Sequence, residues 1–486
     1  FLYNPVVDTL SKFYGGVNLN TGLAPKASLQ ISPRIGFNWD VNNDQTLQVR
    51  GGTGLFQGPP PFVWISNQAS NSGMALFGSI TNGTGYMFSP DIDKYRPTPT
   101  PGLSKSYSLN VTDPNYKFPQ VWKSTLAVDK KVLGWTVTAE GTYIKNINAT
   151  VFQNVALPST GNTTLSDGRV RFVKRSVYDA TGTAQTATNP NIGNAIYMTN
   201  ANIGYTLFGT LQVQRQFKNL AVNASYTRQT AVDATINGST AFTMWGARPT
   251  GTDPNNFEAG FSNNYLPHRI IASVNYGKEF IKNTRTSIGL LYEASPNAPQ
   301  SSLSYTYGGD INNDGFNGND LIFVPKDASQ IKLTNASAVG GVADTRTQTE
   351  LWNQLDAFIS NNPYLSTRRG MMSERQALVL PWVHRLDLNF TQDFYIKVKE
   401  SKHTLRFTAD VYNFTNFISK ELGTQQVPIT TTPLNFVKLD TDGKTPIFSF
   451  PYLDGKNKVP FTDSFRDNVG FGSRFQIQLG VRYLFN

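Results

Sequence analysis

The connections between the candidate strands constrain this chain more than any other feature. Period-two alternation of apolar and polar residues, bounded by turn residues, marks eleven segments. They are 33–41, 46–56, 119–130, 134–145, 204–217, 219–230, 267–280, 284–294, 382–395, 403–415 and 472–486. The links between them alternate strictly between short and long. The short ones are Asn42-Asn43-Asp44-Gln45, Lys131-Val132-Leu133, Lys218, Lys282-Asn283 and Lys397 to Lys402. The long ones run from 57 to 118, 146 to 203, 231 to 266, 295 to 381 and 416 to 471. Long unstructured loops normally count against a strand assignment. Here every second link is long, which makes length a property of one rim. A transmembrane antiparallel up-and-down β-barrel is built that way, with tight turns at one rim and long extracellular loops at the other. A soluble sandwich mixes its loop lengths at both ends.

The two faces of each segment carry the expected chemistry. Phe475, Ile477, Leu479, Val481, Tyr483 and Phe485 share one face, and Gln476, Gln478, Gly480 and Arg482 share the other. Leu386, Leu388 and Phe390 oppose Asp387, Asn389, Thr391 and Asp393 in the same way. The apolar set suits lipid and the polar set a lumen. Trp39, Trp135, Phe217, Phe280, Phe394 and Phe485 lie beside short turns or at the C-terminus, all with lipid-facing parity. Tyr143, Tyr205, Tyr226 and Tyr292 repeat that parity at the long-loop ends. Two aromatic girdles flanking an apolar band are a membrane signature. The alternative is that these rings are the core of a soluble carbohydrate-binding β protein or enzyme.

Composition agrees with the barrel. Mean hydropathy is −0.32, and no stretch approaches the roughly 18 uninterrupted apolar residues of a membrane helix. Alternating strands keep hydropathy low even when they span a bilayer. With no cysteine, disulfide scaffolds, thiolate metal sites and cysteine nucleophiles are excluded. The net charge of +10 is dispersed along the chain. That fits a solvated surface beside anionic lipid headgroups and no nucleic-acid partner. Within one loop, Thr347 to Glu350 has capping-box spacing, and Leu351, Leu355, Phe358 and Ile359 form a stripe ending at Asn361-Asn362-Pro363. This spacing predicts a helix.

Chemistry is sparse. His268, His384 and His403 lie far apart with no metal-ligand spacing. No nucleophile elbow, P-loop or zincin motif is present, and no catalytic residue is assigned. Arg50, Lys123, Glu140, Arg269, Glu293, Asp387, Asp393, Arg406 and Asp410 have lumen parity, and their mixed signs suit salt bridges to a plug. Trp64, Tyr86, Phe88 and Trp245 are aromatic loop residues of the kind that touch a solute. One cluster follows the calcium-loop rule. Asp310, Asn312 and Asp314 fall at positions 1, 3 and 5, Gly315 at 6, and the Phe316 carbonyl at 7. Asp320 falls at position 11, where the rule wants a glutamate at 12, and no helix flanks the loop. A calcium ion ordering an extracellular loop and a plain polar turn are both open. Asp440-Thr441-Asp442-Gly443 is read as a turn.

Several stretches carry a family resemblance. Pro33-Arg34-Ile35-Gly36-Phe37-Asn38-Trp39 leads to Arg50-Gly51-Gly52-Thr53-Gly54-Leu55-Phe56. Then come Phe118-Pro119-Gln120-Val121-Trp122, Leu266-Pro267-His268-Arg269, Asn319-Asp320-Leu321-Ile322-Phe323-Val324-Pro325 and Asp410-Val411-Tyr412-Asn413-Phe414-Thr415-Asn416. The strand Gln478 to Phe485 closes the series. In this order they resemble TonB-dependent receptors of the Oar-like, Bacteroidetes-type group, which carry a carboxypeptidase-regulatory-like domain. The resemblance implies energised movement of a bulky solute across the outer membrane, with the TonB complex as partner and a surface lipoprotein as a further one. The family's plug and TonB box have no counterpart here, and Asn486 follows the aromatic Phe485. A passive porin or a surface adhesin on the same barrel is the alternative. With Phe1-Leu2-Tyr3-Asn4-Pro5 in place of a signal peptide, the expectation is a C-terminal barrel half. The plug and roughly eleven further strands would then lie upstream or on a second chain, completing a roughly 22-stranded barrel.

Overall fold

The computed structural model describes residues 21–59, 62–70, 88–91, 93–94, 107–157, 161–173, 192–236, 238–296, 302–461 and 463–485. The opening Phe1 to Pro5 and Tyr86 lie outside them. Eleven wall strands form one antiparallel sheet, each paired with its neighbour in sequence. They are β1 (Arg34–Asp40), β2 (Leu47–Gln57), β3 (Gln120–Val132), β4 (Trp135–Ile147), β5 (Tyr205–Gln216) and β6 (Leu220–Asp233). β7 (His268–Lys278), β8 (Thr284–Pro296), β9 (Trp382–Val398), β10 (Ser401–Tyr412) and β11 (Gln476–Phe485) complete the wall. Each falls on one of the eleven expected segments. Two short turns are tighter than expected. Lys397 and Val398 stay in β9, and Val398 pairs with Ser401 of β10. Lys131 and Val132 stay in β3, and Val132 pairs with Trp135. Leu133 and Gly134 form the turn, with φ of +50° and +79°. A two-residue hairpin of that hand needs positive φ at both central positions, and glycine meets this without cost.

The register keeps the apolar set on one face through successive ladders. Leu211 lies opposite Tyr226, Tyr226 opposite Ile270, and Ile270 opposite Ala294. Tyr292 lies opposite Leu386, Leu388 opposite Val411, and Val411 opposite Ile477. This face is not a core: Leu211 is 53% exposed, Ile35 73% and Leu479 76%. So are the girdle rings Trp39 and Phe394. A soluble sandwich would bury them. An apolar outer face of this extent makes sense only against hydrocarbon. Neighbouring girdle rings meet edge-on or tilted, Trp135 with Phe217 and Tyr143 with Tyr205, both at 6.3 Å between centroids. The histidines belong to the same surface. Nδ1 of His268, His384 and His403 shares a hydrogen bond with the hydroxyl of Tyr226, Tyr292 and Tyr483 at 2.7, 2.7 and 2.6 Å. Each imidazole also stacks on its tyrosine ring, so all three serve the surface of the wall.

The largest fully buried side chains come from the long loops, which fold together into a cap. One cluster gathers Leu165, Tyr305, Tyr307, Val324, Phe358 and Phe450 from three long loops. A second holds Phe152, Phe172, Ile196, Met244 and Trp245. Helix α1 (Phe62–Ser70) brings Trp64 against Phe152, and α2 (Ala241–Gly246) supplies Trp245. The expected loop helix is α3 (Gln348–Asn361), and its capping box is complete. The Glu350 amide donates to Thr347 Oγ1 at 3.2 Å, and the Thr347 amide donates to the Glu350 carboxylate at 2.7 Å. Leu351, Leu355, Phe358 and Ile359 are all buried. Removing the cap by Thr347→Ala should destabilise this part of the loop by about 1 kcal/mol. Faster protease cleavage near α3, with barrel folding unchanged, is the expected readout.

Candidate functional site

The inner face of the wall carries charges of both signs. Arg50 on β2 bonds Asp129 on β3 at 2.9 Å and Glu140 on β4 at 3.1 Å. Arg269 on β7 meets Glu293 on β8 at 2.8 Å, and Arg385 on β9 reaches Glu293 and Asp387 at 3.5 and 3.4 Å. Arg406 grips Asp393 with two bonds of 2.7 and 2.8 Å. Of the charges expected to face a plug, Arg50, Glu140, Arg269, Glu293, Asp387, Asp393 and Arg406 form ion pairs within the wall itself. Asp387 and Asp393 are therefore charge partners of arginines, which does not suit acid–base work. The result is a polar, mixed-sign lumen wall.

The cap holds the other polar concentration. Residues 310–320 form a tight loop with positive φ at Asn313, Gly315 and Gly318. The Asp310 carboxylate accepts from the amides of Asp314 and Gly315 at 3.1 and 2.9 Å. Asn312 Oδ1 accepts from the Asp314 amide at 2.9 Å. Asp314 accepts from the Phe316 amide at 2.7 Å, and from the side-chain amides of Asn312 and Asn319 at 3.2 and 2.9 Å. Asp320 turns one oxygen to Arg169 Nη1 at 2.8 Å and the other to the amides of Ile311 and Asn312 at 3.0 and 3.4 Å. All five predicted positions thus share one loop. Asp310, Asn312, Asp314 and the Phe316 backbone cluster together, and Asp320 faces the arginine side. Among the described residues no three His, Asp or Glu side chains converge as a metal-binding group. The oxygen set around Asp310 and Asp314 is otherwise one of amides and carbonyls.

Sequence reasoning missed Arg169 and Arg171. Ser166-Asp167-Gly168-Arg169 looks like an ordinary turn, and nothing local points 150 residues ahead. In the fold, Arg169 is fully buried: Nε donates to Asp167 at 2.8 Å and Nη2 to the Leu321 carbonyl at 2.6 Å. Arg171 donates to the Ile311 carbonyl. Burial pushes the Asp314 carboxyl up to about 7, with the negative charge of Asp320 adding to it. Burial also raises Asp320, to about 6 against the pull of Arg169, and raises Asp310.

The loop is a junction. The Asn312 carbonyl accepts from the Phe172 amide at 2.8 Å, and the Asn319 carbonyl from the Thr250 amide at 2.8 Å. Just upstream, the Gly308 amide donates to the Leu434 carbonyl at 2.9 Å. Four long loops therefore meet around residues 308–320. Of the aromatic residues considered for solute contact, Trp245 is 1% exposed and part of the second core, whereas Phe88 is 96% exposed. Asp440 to Gly443 is a turn, as expected, with Asp440 paired to Lys332.

Among solved structures the chain is similar to a double variant of the ferric enterobactin receptor of Pseudomonas aeruginosa. Identity is 6% over 93% of this chain and 39% of that one, with a TM-score of 0.35. It is also similar to the outer membrane transporter YddB of Escherichia coli, at 10% identity over 86% of this chain and 39% of that one with a TM-score of 0.37. The siderophore receptor PirA of Acinetobacter baumannii gives 10% identity over 79% of this chain and 37% of that one, with a TM-score of 0.34. The chain thus spans less than two fifths of the length of these proteins. No curated protein matches the sequence. The family model described as an outer membrane beta barrel domain matches residues 3–427, most of the chain, and this protein belongs to that family of outer-membrane barrels.

Proposed function

We propose that this chain is the C-terminal wall and extracellular cap of an active transporter that moves a bulky solute across the outer membrane, driven by the TonB complex. The observation that carries the proposal is the open sheet. β1 pairs only with β2, and β11 only with β10, among the described residues. An unpaired strand edge in hydrocarbon costs several kcal/mol per stranded backbone group, so both edges call for further strands. Bacterial single-chain barrels have an even strand number, and roughly eleven more strands make a lumen wide enough to need a plug. The mixed-sign inner wall suits such a filled lumen. The ordered motifs from Pro33-Arg34 to the closing strand support the Oar-like, Bacteroidetes-type assignment.

The test uses the intact gene product in cells. Solute uptake or export that stops when TonB is deleted or a protonophore is added is the expected result. Flux that persists without TonB would mean a passive porin, and the absence of any flux together with surface adhesion would mean an adhesin.

A further inference from the structure

We infer that the 310–320 loop is a calcium site that locks the extracellular cap together, with Asp310, Asp314, the amide oxygens of Asn312 and Asn319, and the Phe316 carbonyl as ligands. The inference stands apart from the transport reading, because it needs only the cap.

Two independent observations carry it. The first is the charge of the pocket. Asn312, Asp314, Asn319 and Asp320 are at most 1% exposed. Asp310, Asp314, Asp320 and the adjoining Asp167 share the guanidiniums of Arg169 and Arg171. Carboxyls thus outnumber guanidiniums in a buried place. Buried charge is tolerated when it is paired or coordinates a metal, and one divalent cation balances it. Asp320 already uses both oxygens on Arg169 and backbone amides, so it anchors the loop from outside the cage.

The second observation is an orphaned atom. Asn319 Oδ1 is buried with no hydrogen-bond partner, and it belongs to the amide that lies 2.9 Å from Asp314. A buried acceptor left unpaired is rare and asks for an explanation. The two ends of an amide are nearly isosteric. Rotating the Asn319 amide brings its oxygen to where its nitrogen now lies 2.9 Å from Asp314, and Asn312 Oδ1 already sits in the loop on the Asp314 amide. That arrangement gives two carboxylates, two amide oxygens and one carbonyl, with water completing the six to eight oxygens calcium takes. Calcium, a hard ion of flexible geometry, suits such a set better than magnesium, which demands a strict octahedron. An entry path exists, since Gly315, Asn317 and Gly318 are exposed.

The purpose follows from the junction. Backbone bonds tie this loop to Phe172, Thr250 and Leu434, so filling it fastens four loops at one point. Surface-loop sites of this kind bind in the range of about 10⁻⁴ to 10⁻³ M.

Equilibrium dialysis of the intact gene product in detergent with calcium, and terbium luminescence sensitised by the nearby Tyr307 and Trp245, test the site. One ion per chain is expected. Asp310→Asn and Asp314→Asn should each weaken it at least about tenfold, and Asn319→Asp, which adds a carboxylate, should tighten it. Chelation of the wild-type protein should speed protease cleavage within 302–380 and leave the wall folded. A folded wild-type chain that takes up no calcium at about 10 mM, well above that range, overturns the inference even if the variants fail to fold. So does calcium binding that Asp310→Asn and Asn319→Asp leave unchanged.

Discussion

Leu211→Arg should destabilise the wall by about 2–4 kcal/mol, whereas Gln212→Arg, one residue along, should cost about 1 kcal/mol or less. Leu211 lies midway along β5, between the girdle residues Tyr205 and Phe217, and its side chain is 53% exposed. Its cross-strand neighbours are Ala139 on β4 and Tyr226 on β6. An arginine there has hydrocarbon around it and the longest reach to either interface. Gln212 has the opposite parity, beside Thr138 and Ser225, so an arginine there stays in the polar lumen. The pair differs by one position and by nothing else that matters to β propensity. Heat-modifiable gel mobility of the two variants, made in the intact gene product and refolded in lipid, reads the difference. Equal loss in both would mean that the faces are assigned wrongly.

Arg169→Ala should be the most damaging single change in the cap, costing about 3–5 kcal/mol of its local stability. The guanidinium is 1% exposed and bonded to Asp167 and Asp320, both at 2.8 Å. It also lies 5.1 Å from the centre of the Tyr307 ring. Removing it strands two buried carboxylates, and burial of an unpaired charge is far costlier than the pair itself is stabilising. Arg169→Lys should rescue little. Three separate nitrogens serve Asp167, Asp320 and the Leu321 carbonyl, and an ammonium cannot reach all three. Limited proteolysis should cut the 161–173 and 302–380 stretches, while the barrel keeps its heat-modifiable shift. A cap as protease-resistant as the wild type would show that Arg169 does not hold it.

The wall was legible because two solvents act on it at once. Lipid on one side and water on the other impose a strict period of two, as in Leu386, Leu388 and Phe390 against Asp387, Asn389 and Thr391. Strand existence, order and facing follow from that alone. The Leu133–Gly134 turn slipped because Lys131 and Val132 resemble turn flanks, and only the backbone angles place the reversal. In the cap the period disappears. Tyr107–Thr112 pairs in parallel with Ile192–Ala201, and Lys332–Thr334 with Pro446–Ser449. Neither pairing leaves a local trace, since the partners come from different loops. α3 was legible because its cap and stripe lie within a few turns, while α1 and α2 are too short to show a period. The candidate site divides the same way. Its oxygen ligands are contiguous and follow a spacing rule, whereas Arg169 and Arg171 reach it only through the fold.

The central claim is that this sheet is a membrane wall with one face in lipid. The absence of native cysteine allows a direct measurement. Single cysteines at Leu386, Asp387, Leu388, Asn389, Phe390 and Thr391 on β9 would carry a small fluorophore in proteoliposomes containing brominated lipid. Strong quenching at Leu386, Leu388 and Phe390, and little at Asp387, Asn389 and Thr391, is the expected result. Quenching that is uniform along the strand, or absent throughout, would contradict the claim.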